Sequence, residues 1–111
     1  MAYYMFQGRF SAETLKRLLS KPENRSNAAA KIAKANGGRL HRYFISFGAY
    51  DFVSILELPH DDAAASCAMA VAASGVTTHM ATTRLLTPAE AIASMAKAQS
   101  AAPSLPLPKD M

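Results

Sequence analysis

The stretch Leu40-His41-Arg42-Tyr43-Phe44-Ile45-Ser46-Phe47-Gly48-Ala49-Tyr50-Asp51-Phe52-Val53-Ser54-Ile55-Leu56-Glu57-Leu58 decides the fold. Two runs rich in aromatic and β-branched residues flank Gly48 to Asp51, which reads as strand, turn, strand. At the turn, Gly48 is expected to adopt positive φ, and Tyr50 to pack its ring with the hydroxyl in water. Asp51 is expected to hold the hairpin by accepting backbone amides. Pro59 ends the pairing.

Outward from this hairpin, Tyr3 to Phe10 reads as a first strand. Ser11 offers a helix cap, and Leu15, Leu18 and Leu19 fall on one side of the helix that follows. Pro22 breaks that helix, a second piece runs from Ser26 to Ala35, and Asn36-Gly37-Gly38 closes it. Beyond Pro59, Asp61 or Asp62 starts a helix to about Ser74, Gly75 ends it, and Val76 to Leu86 forms a fourth strand. Thr87-Pro88-Ala89-Glu90 starts a last helix to about Ala98.

The order strand, helix, strand, strand, helix, strand is that of an α+β, ferredoxin-like antiparallel sheet with its helices on one face. The strands are expected to lie side by side as fourth, first, third, second. Residues 1–98 form a single domain on this reading, and residues 99–111, with Pro103, Pro106 and Pro108, a flexible tail.

The other face of the sheet then matters. Strict alternation sets His41, Tyr43, Ile45 and Phe47 against Leu40, Arg42, Phe44 and Ser46, and both sets are substantially apolar. The first and third strands also carry apolar residues on both faces. A free face of that kind calls for a second cover, and a matching sheet from another copy supplies one, so a homodimer is expected and a higher homo-oligomer stays open. The alanine-rich segments 28–30, 63–65 and 68–73 make a thin core, which points the same way.

The chain has 111 residues, half of them hydrophobic, and a net charge of +4. Its basic residues are scattered without a run or an interleaved aromatic pattern, which argues against a nucleic-acid partner. No apolar stretch approaches the ~18 residues that cross a bilayer, so no membrane partner is expected. Cys67 is alone and forms no internal disulfide. With no signal-peptide pattern at the N-terminus, the expected location is the cytoplasm.

Gly48-x-Tyr50-Asp51 between strands, with Pro59 followed by Asp61-Asp62-Ala63-Ala64-Ala65, resembles the GYD domain family. The resemblance extends from Tyr4 and Gly8 through Arg25, Gly37-Gly38 and Gly75 to Arg84. It implies the dimeric α/β-barrel architecture, in which two ferredoxin-like sheets pack face to face, and implies no particular activity. His79 and Met80 depart from it, standing where the family carries an Arg-Thr pair, and so does the long C-terminal extension.

The candidate ligand-binding residues are the polar side chains on predicted strands, chiefly Gln7, Arg9, Arg42, Ser54 and Arg84. A pocket sets a few such groups among apolar walls. Glu57, Thr78 and His79 share that character. The three histidines do not read as a metal site, and no cofactor is expected. His60 reads as a loop residue, and His41 and His79 sit on opposite sheet edges, three strand spacings of ~4.8 Å apart.

The leading reading is a small-metabolite binding or accessory domain. The rival, by analogy with dimeric α/β barrels, is a cofactor-free monooxygenase, an isomerase or a haem-dependent enzyme. That reading needs His41, Tyr43 or His79 inside a cavity between sheet and helices.

Overall fold

The computed structural model describes residues 1–109. Strand β1 (Ala2–Phe10) leads into helix α1 (Ala12–Ser20), then α2 (Ser26–Ala35), β2 (Arg39–Ile45) and β3 (Phe52–Leu58). Helix α3 (Asp61–Ala73), strand β4 (Thr77–Leu85) and helix α4 (Pro88–Ala101) complete the order, with a 3-10 turn over Ala102–Ser104. The sheet is antiparallel in the order β2-β3-β1-β4, as the crossover argument requires.

Alternation on the two central strands sets the layers. Tyr4 and Phe6 on β1 and Phe52, Ser54, Leu56 and Leu58 on β3 are buried on one face, beneath α2 and α3. Ala33 of α2 and Ala63, Ala64 and Cys67 of α3 close onto them. Because the helices meet the sheet largely through alanine, they approach it closely and fill little volume of their own. The opposite face presents Tyr3, Met5, Val53, Ile55 and the exposed ring of Phe44.

Strict alternation fails on β2. Leu40 faces Leu56 but Arg42 faces Ile55, so one residue of β3 meets two of β2. This bulge places His41 and Arg42 together on the outer face and sends Leu40, Tyr43 and Ile45 to the helix side. The expected grouping of His41 with Tyr43 is therefore corrected. A second bulge on β4 sets His79 and Met80 opposite Gly8. His79 adopts φ +52°, so its ring turns to solvent while Met80 packs inward.

The punctuation also differs in places from expectation. Positive φ occurs at Gly37 and Gly75 and not at Gly48. Gly37 and Gly38 donate to Lys34 and Ala33 carbonyls at 3.1 and 3.0 Å, a paired closure of α2 that needs a left-handed residue at Gly37. Gly38 lies so close to β3 that a Cβ there would sit 2.0 Å from the Glu57 carbonyl oxygen. Helix α3 is capped by His60, whose Nδ1 accepts the Ala63 N–H at 3.3 Å, so His60 is not a plain loop residue.

Helix α1 buries no residue: Leu15 and Leu19 are exposed and Leu18 is half-buried. Helix α4 starts with the expected capping box at Thr87 and Glu90 and runs to Ala101, three residues past the expected end. Part of the segment anticipated as a tail is therefore helical, and residues 110 and 111 of it lie outside the described residues. With α4 standing off the sheet, the longest dimension reaches 59 Å. The radius of gyration is 17.9 Å, against about 13 Å for a compact domain of this size.

Candidate functional site

Between the inner face of the sheet and helices α2 and α3 lies a cavity of about 260 Å³. Its floor is Phe6, Phe52, Ser54 and Leu56, and its roof is Ala28, Ala29 and Ile32 of α2 with Cys67, Ala70 and Val71 of α3. The space exists because the roof is built from methyl groups where longer side chains would reach the floor. One wall is aromatic: Tyr43 stacks on Phe52 at 5.9 Å with an interplanar angle of 5°, and Phe10 meets Phe52 at 5.4 Å. Gly8 admits this packing, since a Cβ there would lie 2.5 Å from Met80 Sδ and 3.0 Å from the Phe52 ring.

The polar groups of the cavity are few. Burial raises the phenol pKa of Tyr43, and the charge of Arg25 opposes that shift. Burial likewise raises the Cys67 thiol, which donates to the Ile32 carbonyl at 3.8 Å and stays protonated at neutral pH. Arg25, just before α2, borders the cavity and pairs with Glu23 at 3.0 Å. Thr77, the first residue of β4, is 8% exposed, and its buried Oγ1 has no hydrogen-bond partner among the described residues. A buried hydroxyl without a partner is destabilising, and a bound group that supplied one would relieve the cost.

Of the five strand residues expected to bind a ligand, Ser54 alone lines this cavity. Arg9 donates through Nε to the Ala49 carbonyl at 2.9 Å and so tethers the hairpin. Gln7 and Arg42 lie on the outer face, where Arg42 donates to the His41 carbonyl. Arg84 belongs to a separate cluster, 5.6 Å from the centroid of the Tyr4 ring.

Of the enzyme candidates, Tyr43 borders the cavity and the two histidines do not. His41 packs against Tyr3 and bonds Glu57 on the outer face, and His79 contacts Thr78 in solvent. No His, Asp or Glu is among the lining residues. Arg25 stood in the sequence among the residues that carry the family resemblance but not among those expected to bind, and the missing partner of Thr77 follows only from packing.

The Tyr4 cluster is a second concave region, bordered by Met1, Pro59, His60, Asp61, Asp62 and Arg84. The Tyr4 hydroxyl donates to Asp61 Oδ1 at 2.5 Å, and burial followed by that carboxylate raises its pKa. Arg84 bonds the Leu85 carbonyl and reaches Glu90 at 3.5 Å. These groups satisfy one another and tie β1 to the start of α3. Among the described residues, no group of three or more His, Cys, Asp or Glu is placed to hold a metal ion. Among the described residues, no helix is long and apolar enough to cross a membrane.

The model of the GYD domain matches residues 4–95. The chain belongs to the GYD domain family. The match spans β1 through most of α4 and includes the Gly48-x-Tyr50-Asp51 hairpin. A search of curated proteins finds no match. Among solved structures, this GYD domain is similar to FFRP-DM1, with 14% identity over 78% of this chain and 100% of the other, at a TM-score of 0.48. It is also similar to a NIPSNAP-family protein of unknown function from Agrobacterium tumefaciens, with 17% identity over 79% and 92% of the two chains and a TM-score of 0.48. A hypothetical protein from Pyrococcus horikoshii shows 14% identity over 78% and 92%, with a TM-score of 0.47.

Proposed function

We propose that this GYD domain is a homodimeric, cytoplasmic small-molecule binding protein whose ligand occupies the cavity beneath α2 and α3. The observation that carries the reading is the aromatic-walled cavity of about 260 Å³, which Ser54 and Arg25 border among apolar side chains. Pockets that hold small metabolites combine apolar walls with a few placed polar groups. Cavities that stay empty are apolar throughout. The outer sheet face supports the dimer, since Tyr3, Met5, Phe44, Val53 and Ile55 form an apolar surface that this chain leaves uncovered. The lone Cys67, buried and unoxidised, suits a reducing compartment.

Native mass spectrometry of freshly purified protein, paired with a thermal-shift screen of small metabolites, tests the binding role. A retained or stabilising compound is expected, and Ala29→Phe, which fills the cavity from α2, should abolish its effect. A wild-type protein that nothing stabilises, or a filled variant that responds equally, overturns the reading.

A further inference from the structure

Apart from Ser54 on the floor and Tyr43 on the wall, the polar groups of the cavity gather at one end. Arg25 precedes the first turn of α2, Ser74 caps the end of α3, and Thr77 opens β4. Arg25 and Ser74 also share a shallow depression with Gly75 and Val76, which places the two helix ends and the start of β4 at one end of the molecule. Around Ser54 the deeper walls are Phe6, Leu56, Ile32 and Cys67. Arg25, the one charged residue of those described that lines the cavity, therefore stands at that end.

We infer that its ligand is a small aryl monocarboxylate, seated with the ring inward and the carboxylate at Arg25. The inference rests on the binding role proposed above and names the class of ligand. A guanidinium is complementary to a carboxylate, and Arg25 is the one charged residue among those described that lines the cavity. Glu23 pairs with Arg25 at 3.0 Å through Nη1, leaving the other guanidinium N–H groups to a ligand. A volume of about 260 Å³, roughly nine waters' worth, suits one ring and a short side chain. The Tyr43–Phe52–Phe10 wall favours that ring being aromatic.

Isothermal titration at low salt with benzoate, phenylacetate and 3-phenylpropionate, each beside its neutral amide, tests the inference. At least one acid is expected to bind about 10- to 100-fold more tightly than its amide, the range of one charge-assisted contact. Arg25→Met should remove that preference and Arg25→Lys should restore part of it. Amides that bind as tightly as acids, or a preference that survives Arg25→Met, overturn the carboxylate assignment and leave the binding role standing. Binding by none of the six probes overturns the aryl carboxylate assignment, and the binding role then stands or falls with the thermal-shift screen.

Discussion

The Asp51 carboxylate accepts the backbone N–H of Phe10 at 2.9 Å, across the end of the sheet from its own hairpin. The Asp51 N–H in turn donates to the Gly8 carbonyl at 2.8 Å, and its carbonyl accepts from Ser46 N–H. One residue thus fastens the β2–β3 connection to the last turn of pairing on β1. Its contacts are with backbone, and it does not border the cavity.

Replacing Asp51 by Ala should lower stability by about 1.5–3 kcal/mol, because the Phe10 amide loses a charged acceptor. Urea unfolding measures this directly. Ligand affinity, expressed per folded molecule, should stay within a factor of two or so, since no cavity wall is removed.

Glycine substitutions should rank in an order the family motif does not suggest. Gly48 has open space where a Cβ would go and no positive φ, so Gly48→Ala should change stability by no more than about 0.5 kcal/mol. At Gly38 the added Cβ would collide with the Glu57 carbonyl, and separating α2 from β3 should cost more than about 3 kcal/mol. Melting temperatures of the two variants suffice to compare them. Equal effects would mean that the β2–β3 connection is tighter, or the α2–β2 joint looser, than the structure has it.

Glu57 should confer a specific acid sensitivity. Its carboxyl is held below the ordinary value, first by the hydrogen bond to His41 and then by that to Arg39. A carboxyl pKa lowered on folding stabilises the native state above the unfolded-state pKa, and this stabilisation fades as pH falls through the folded value. Between pH 6 and pH 3, wild-type protein should therefore lose more melting temperature than Glu57→Gln. Parallel curves over that window would show that the cluster contributes nothing.

Ile55 lies on the outer face of β3, opposite Met5 on β1 and Arg42 on β2. Ile55→Lys should leave the fold intact and convert the proposed dimer to a monomer at micromolar concentration, because a charge on the apolar interface it would bury is unpaired. Multi-angle light scattering with circular dichroism reads both outcomes. A wild-type monomer, or a variant that remains dimeric, would remove the sheet-to-sheet pairing.

The elements whose signals are local were legible in the chain. Phe52 to Leu58 alternates without interruption and appears as a strand with the expected ends. Thr87-Pro88-Ala89-Glu90 forms its capping box because all the required groups sit within four residues. The outer-face position of His41 was not legible, because a one-residue bulge changes which side chains share a face and leaves no mark in composition. Nor was the cavity, whose lining comes from all four strands and two helices far apart in sequence. Of the residues singled out for binding, Ser54 alone reached it, and the two groups that give it polarity came from helix and strand starts that alternation does not rank.

The alanine roof separates two kinds of information in this molecule. The order of the strands, and thus the architecture, is written in Tyr4, Phe6, Phe52 and Leu56 beneath it. The shape of the cavity is written above, in Ala28, Ala29 and Ala70, where every exchange except that to glycine adds bulk. Descendants of this chain can therefore change what they accept through single replacements on two helices while inheriting the sheet unaltered. A shared fold among GYD domains is then compatible with ligands that differ from one lineage to the next.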